Sequence, residues 1–486
     1  MPATPRRSSR RFLPWLTVGL ALVQSLAWAQ GEEDPAVSVV LSISGSRAYG
    51  NVVRGDNGDL YGSSAVSVGG QAGGLIFTIE PDGENIRTVY QLGEGDGVSP
   101  QAGLMLGSDG LLYGTTHFGL RETNGGLGSI FSIRQDGTDF TTLHFFGDDT
   151  DSNQDNNPIN EDGAFPDAAL IEGSVPGTGG SQSDGFLYGV ARTGGENGTG
   201  TVFKIARDGT GFEVLHVFGE ITSGEDDPLT KNADGAYPLG SLVESNGVFY
   251  GTTSRGGGQG RGTVFQISAD GSGFRTLYVF KQLTPVEDGP SVNDNGAHPL
   301  AGLLDGLDGY LYGVASVGGE HGTGNVFRLK LDGTGFQTVH HFGTKFGSQP
   351  AATPALGQDG LLYGTTSTGG IDAENEPSSF GTIWSMAPDG TDFTRIFSFD
   401  GATGTGPNSK LLQLNSSIFV GTTNGGGRCG EGTVYRLDLA GDTIEGDTTC
   451  GDTGNNDSGG GSVDPAWLIL CGLLGLWRVT RRRALA

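Results

Sequence analysis

Cysteine is scarce in this 486-residue chain: there are three, and no two are spaced C-x-x-C. That excludes the common zinc and dithiol frameworks. Tryptophan is nearly as rare. Of five, only Trp384 lies between the chain ends, so a sugar-binding platform of stacked indoles is not available. Positive charge is short too, with 28 Lys and Arg against 55 Asp and Glu, a formal net charge of −27. A surface of that sign repels phosphate backbones and excludes nucleic acid as a partner. H-E-x-x-H, a Ser-His-Asp grouping and a phosphate-cradling loop that opens a helix are all missing.

Glycine is what the chain has in abundance, 90 residues, and it recurs at fixed places. A short phrase ending in Tyr-Gly returns seven times, centred on Tyr61, Tyr113, Tyr188, Tyr250, Tyr312, Tyr363 and a degenerate Val420. The unit around it is clearest between Pro299 and Phe342: "PLAGLLDGLDG", "YLYGVASVGG", "GTGNVFRLKLDG" and "TGFQTVHHF". Each piece is a short strand ending at Gly or Asp-Gly, and Asp-Gly supplies the positive φ of tight hairpins. Four strands per unit, repeated about every fifty to seventy residues, predict an all-β, seven-bladed β-propeller of four-stranded antiparallel blades. We name the strands of a blade A to D in chain order. The seventh unit has A (410–414), B (418–423) and C (432–438) but no D. An orphan segment, "AVSVVLSISG" (36–45), precedes the first A strand, and the pattern predicts that it completes the last blade and closes the ring.

The two ends read differently. Arg6, Arg7, Arg10 and Arg11, an apolar stretch and Ala27-Trp28-Ala29 describe a secretory signal peptide cleaved after Ala29. The arginine spacing lacks one residue for the twin-arginine route, which favours general secretion. At the other end, "DSGGGS" leads into an apolar stretch of about thirteen residues, Pro465 to Trp477, then Arg478 and Arg481 to Arg483. The stretch is short of the ~20 residues that span a bilayer, and the arginines would hold its end inside. A plain short anchor is one reading. The order of parts also resembles the GlyGly-type C-terminal sorting signal of Gram-negative bacteria. That resemblance implies cleavage near Gly459, Gly460 and Gly461 by a rhombosortase-like intramembrane protease, a transient inner-membrane contact, and delivery to the outer surface. An anchored periplasmic protein is the alternative. The organisation read here is a signal peptide (1–29), propeller (30–440), Gly/Asp-rich linker (441–462) and sorting segment (463–486). Without the ends, 20 basic and 54 acidic residues remain, about −34.

"GTVFKIARDGTGFEVLHVFG" and "DGLLYGTT" resemble the GloVer-type tandem repeat of secreted bacterial proteins. The family implies a repeat and export, and brings no catalytic residues. In layout the blades are also similar to NHL-type and lyase-type propellers.

Strand direction puts the B–C and D–A loops on one face and the short A–B and C–D turns on the other. Long D–A loops at 147–165, 219–237 and 281–298 make the first face acidic and the place to expect a ligand. Within it, Asp149, Asp151, Asn153 and Asp155 have the alternate spacing of a Ca²⁺ loop, though Gln154 and Asn160 replace its Gly and Glu. Ca²⁺ is thus the one cofactor suggested. Cys429 and Cys450 flank the last strand and would close a disulfide in an oxidising compartment. His144, His216 and His340 share a repeat position with Tyr90 and Tyr278, and His298 precedes a proline as Phe165 and Tyr237 do; all four read as packing. His117, His321 and His341 stand alone, with His321 and His117 near the loop face. The paired acids Asp226/Asp227 and Glu161/Asp162 are candidates for acid–base chemistry in a polysaccharide lyase or hydrolase. The reading favoured here assigns no catalytic residues: a surface-exported binding or display module for a glycan or protein ligand.

Overall fold

Strand C of the fifth unit shows why these segments read as apolar throughout rather than alternating: both faces of a blade are buried. Val326 points into a cluster shared with blade 6, and Phe327 and Leu329 point into one shared with blade 4. In the computed structural model the buried apolar side chains form seven such clusters, one between each pair of neighbouring blades. The structure describes residues 35–443, apart from 43–45, 48–49, 69–70, 84, 94, 120–125, 148–157, 225–226, 288 and 372–378. Every described residue belongs to one compact unit, Met1–Gly451.

The architecture is a seven-bladed, all-β propeller of four-stranded antiparallel blades. Blade 5 runs Leu304–Asp305, Tyr310–Ala315, Asn325–Lys330 and Gln337–His341. The B strands of the other six blades are Leu60–Val68, Leu111–Thr116, Ser183–Ala191, Val248–Arg255, Leu362–Thr366 and Ile418–Gly425. Closure follows the expected route. The orphan strand Ala36–Ser42 pairs antiparallel with Thr433–Asp438, from Ala36 opposite Asp438 to Ser42 opposite Thr433. Its Val40 and Leu41 fill the cluster between blades 7 and 1. Across the same seam Thr422 Oγ1 donates to the Gly50 carbonyl (3.1 Å) and Lys410 N to Asn51 Oδ1 (2.6 Å).

The Tyr-Gly phrase has a steric cause. The glycine lets the strand-C ring of its own blade cross strand B. A Cβ on Gly62, Gly114, Gly189, Gly251, Gly313, Gly364 or Gly421 would come within 3.0 Å of Phe77, Phe131, Phe203, Phe265, Phe327, Trp384 or Tyr435. The tyrosine hydroxyl returns to the A–B turn, where Tyr113, Tyr188, Tyr312 and Tyr363 donate to Asp109, Asp184, Asp308 and Asp359 at 2.6–2.8 Å. Burial and the Asp308 carboxylate push the Tyr312 phenol up to about 12. The C–D turns are locked alike: Asp208 Oδ1 accepts from the N–H and hydroxyl of Thr210, and Gly209 sits at φ 84.

Two details differ from the sequence reading. Strand A is mostly not a ladder strand. Only two to four residues of each A segment pair with strand B, as at Leu304–Asp305 opposite Tyr312 and Leu311 and Val243–Ser245 in blade 4. The preceding stretch bends around the axis, and its carbonyls are taken by hydroxyls of the previous blade, Ser63 to Ala102 and Thr252 to Ala301. Two of the three long D–A loops are not irregular. They hold small hairpins, Thr222–Gly224 with Asp227–Lys231 and Thr284–Val286 with Gly289–Val292.

Candidate functional site at the mouth of the axial channel

The D-strand histidines are structural. His144 stacks on Phe212 of the next blade (centroids 3.8 Å) and His216 on Phe274 (3.5 Å), as Tyr278 does on Phe336. Their Nε2 atoms meet Asp162 and Asp234 at 2.9 Å, and the same carboxylates accept from Gly147 N and Gly219 N. Asp162, half of one candidate acid pair, is therefore a loop anchor. His340 keeps the stack on Phe393 but, among the described residues, has no carboxylate opposite, and its buried Nε2 has no partner there. Burial pushes it down to about 4, with His341 and His321 adding to the shift. His341 Nδ1 accepts from Glu320 N, close to His321.

Along the axis each blade contributes the residues after its proline, and alternation sorts them. The second and fourth are buried between blades, as at Ala301 and Leu303. The first and third face an axial cavity of about 110 Å³. The outer ring, next to the loops, holds Gln101, Asp167, Leu239, Leu300, Ala351 and Asn408. The inner ring holds Asn51, Ser241, Thr353 and Lys410, with Gly or Ala in the other blades.

At the end of strand B the repeat carries a serine in blades 4, 5 and 6. Ser254, Ser316 and Ser367 donate to the carbonyls of Tyr237, His298 and Gln349, the residues before the prolines. Blades 1 and 7 carry Ala65 and Asn424 there; blades 2 and 3 carry His117 and Arg192, and both of these turn to Asp167. His117 Nδ1 lies 2.6 Å from Asp167 Oδ1, and Arg192 Nη1 lies 3.7 Å from Oδ2. Side-chain exposures of 15%, 12% and 47% show a held carboxylate and imidazole beneath an accessible guanidinium.

Aromatic rings and cations surround this group. His117 stacks on Phe165 (4.5 Å) and meets the exposed Phe118 edge-on. Arg255 lies 6.0 Å from the Tyr237 ring centroid, and Arg261 Nη1 donates to His298 Nε2 (3.1 Å). Burial, with Arg261 and Arg255 close by, holds His298 below its ordinary value. Phe165, Tyr237 and His298 precede prolines and sit at φ 54–57, a left-handed conformation uncommon for bulky residues. The acidic face expected from the loops is thus interrupted at the mouth by an arc of Arg, His and aromatic side chains.

The sequence profile of the Gloeobacter/Verrucomicrobia repeat matches residues 165–294 and 288–462, well over half of the chain. The chain belongs to this repeat family. The matched stretches include Asp167 and Arg192, and His117 lies before them. No curated protein matches the chain in sequence. Among solved structures it is similar to an oligogalacturonate lyase of Vibrio parahaemolyticus: 11% identity, TM-score 0.44, 83% of this chain and 97% of that one. It is also similar to a puromycin-hydrolysing peptidase of Mycobacterium tuberculosis (12%, 0.45, 83% and 55%). A third is a 6-phosphogluconolactonase-like protein of Bacteroides fragilis (15%, 0.43, 80% and 88%). No residue role follows from such distant likeness.

Of the residues singled out from sequence, Asp149, Asp151, Asn153 and Asp155 lie outside the described residues, as do Ala29, Gly459 to Gly461 and Asp226. Among the described residues no three His, Cys, Asp or Glu side chains gather as a metal site. Cys429 is disulfide-bonded; Cys450 and Cys471 lie outside the described residues. No described helix is long and apolar enough to cross a membrane.

Proposed function

We propose that this chain is an exported, non-catalytic binding module displayed on the bacterial outer surface, and that its ligand docks on the loop-bearing face at the axial mouth. One observation carries the reading. The polar residues of the repeat serve blade packing and turns, and the break at His117, Asp167 and Arg192 falls where a ligand above the ring would touch. Asp167 orients His117 and Arg192, of which Arg192 offers the accessible donors, and Phe118 and Phe165 add apolar surface. That combination suits a ligand with carboxylate groups on an otherwise polar frame, such as an acidic glycan. An unbiased glycan and protein array with the full mature protein is the test. Binding that falls at least tenfold in Arg192→Ala supports the reading, and a ligand indifferent to that change removes it.

A specific observation also favours a second reading, a lyase. Elimination from a uronate chain needs a base at the proton next to the carboxyl group and a cation to hold that carboxylate. With Nδ1–H donated to Asp167, His117 Nε2 is free to take that proton as the C4–O bond breaks and the C4=C5 bond forms. Ultraviolet absorbance of the unsaturated product from polyuronates, present in the wild type and absent in His117→Ala, would establish it.

Export rests on the two chain ends. Intact mass of protein recovered from the cell surface should place the C-terminus near 459–462, without Cys471 and Arg481 to Arg483. A retained arginine tail would instead mean an ordinary anchor and a periplasmic propeller.

A further inference from the structure

We infer that Lys410 and Asn51 form a second binding site, inside the axial channel, for a small carboxylate. The inference is independent of the loop-face reading. Lys410 occupies the inner-ring position that other blades fill with Asn51, Ser241, Thr353, Gly or Ala, and it alone of that ring carries charge. Its ammonium has no hydrogen-bond or ion-pair partner among the described residues. The side chain is exposed by area and lines the axial cavity. Desolvation by the surrounding protein lowers the Lys410 pKa, with no carboxylate opposing it.

One neighbour supplies the rest of the site. Asn51 Oδ1 accepts from Lys410 N (2.6 Å), which fixes the amide and leaves its Nδ2 donor without a protein partner among the described residues. Two donors without protein partners, on neighbouring blades of one lining, match the two oxygens of a carboxylate. Asp167, the one carboxylate on the described lining, is already taken by His117 and Arg192. The cavity of about 110 Å³ limits the occupant to a molecule of a few heavy atoms, or to the acid end of a larger one.

Calorimetry and thermal shift on the mature protein at fixed ionic strength test this with glycolate, acetate, phosphate and chloride. Glucuronate separates a sugar-borne acid from a free one. The expected result is saturable binding of acetate, glycolate or glucuronate, abolished in Lys410→Met and weakened in Asn51→Asp, which keeps the acceptor for Lys410 N but removes the Nδ2 donor. Lys410→Met removes a desolvated charge, so an undiminished melting temperature will report that it folds. No saturable response in the wild type, binding retained in Lys410→Met, or an equal response to chloride would overturn the site. A preference for phosphate over every carboxylate would overturn its ligand class.

Discussion

Deleting residues 36–42 should unfold the ring. In the structure this strand is the fourth strand of blade 7 and also a wall of two blade interfaces: Val40 and Leu41 are buried between blades 7 and 1, and Val37 packs on the cluster between blades 6 and 7. Full burial of such a side chain contributes about 1.5–3 kcal/mol, so Val40 and Leu41 alone supply roughly 3–6 kcal/mol, and the half-buried Val37 and Val39 add to it. That is a large share of a whole domain's stability, about 5–15 kcal/mol. The loss also exposes the edge of Thr433–Asp438. A graded version is Leu41→Ala, expected to cost about 2–5 kcal/mol, read as a lower urea midpoint with unchanged slope. A deletion protein that melts at the wild-type temperature, or a Leu41→Ala variant within experimental error of wild type, would refute the reasoning.

Three further outcomes are expected. Tyr435→Phe should be neutral or stabilising in chemical denaturation, because the buried Tyr435 hydroxyl has no partner among the described residues and most blades carry Phe there; a loss above about 1 kcal/mol would contradict this. His340 is held at about 4 in the folded state against about 6.5 when free. The unfolded chain therefore binds the extra proton, and His340's contribution is present above about pH 6.5 and lost as pH falls toward 4. His340→Phe, which keeps the stack on Phe393, should flatten the stability profile in that window. Finally, if the loop with Asp149 and Asp151 takes Ca²⁺, calcium should raise the melting temperature of the wild type but not of the double Ala variant, and an equal Mg²⁺ response would mean charge screening.

How much of this was legible in the sequence depends on whether a feature repeats. Tyr-Gly, the Asp-Gly turns and the D-strand ring position recur, so chance agreement was negligible, and the missing D strand of unit seven pointed to 36–45 as its replacement. The hairpins at 222–231 and 284–292 were not legible because their residues are largely polar and their strands three to five residues long. In the sequence His117 stands isolated. Its partner, Asp167, is distant in sequence, and only alignment of the blades shows that His117 and Arg192 replace a serine and that Lys410 replaces a small residue. The usable signal was departure from the repeat, since the repeat itself encodes packing.

The most direct test of the central claim is hydrogen–deuterium exchange of the mature protein with and without whichever ligand an array identifies. The account predicts slowed exchange at 117–119, 165–167 and 192–196, around the axial mouth. Protection confined to the opposite turns, such as 107–110 and 208–211, would contradict it.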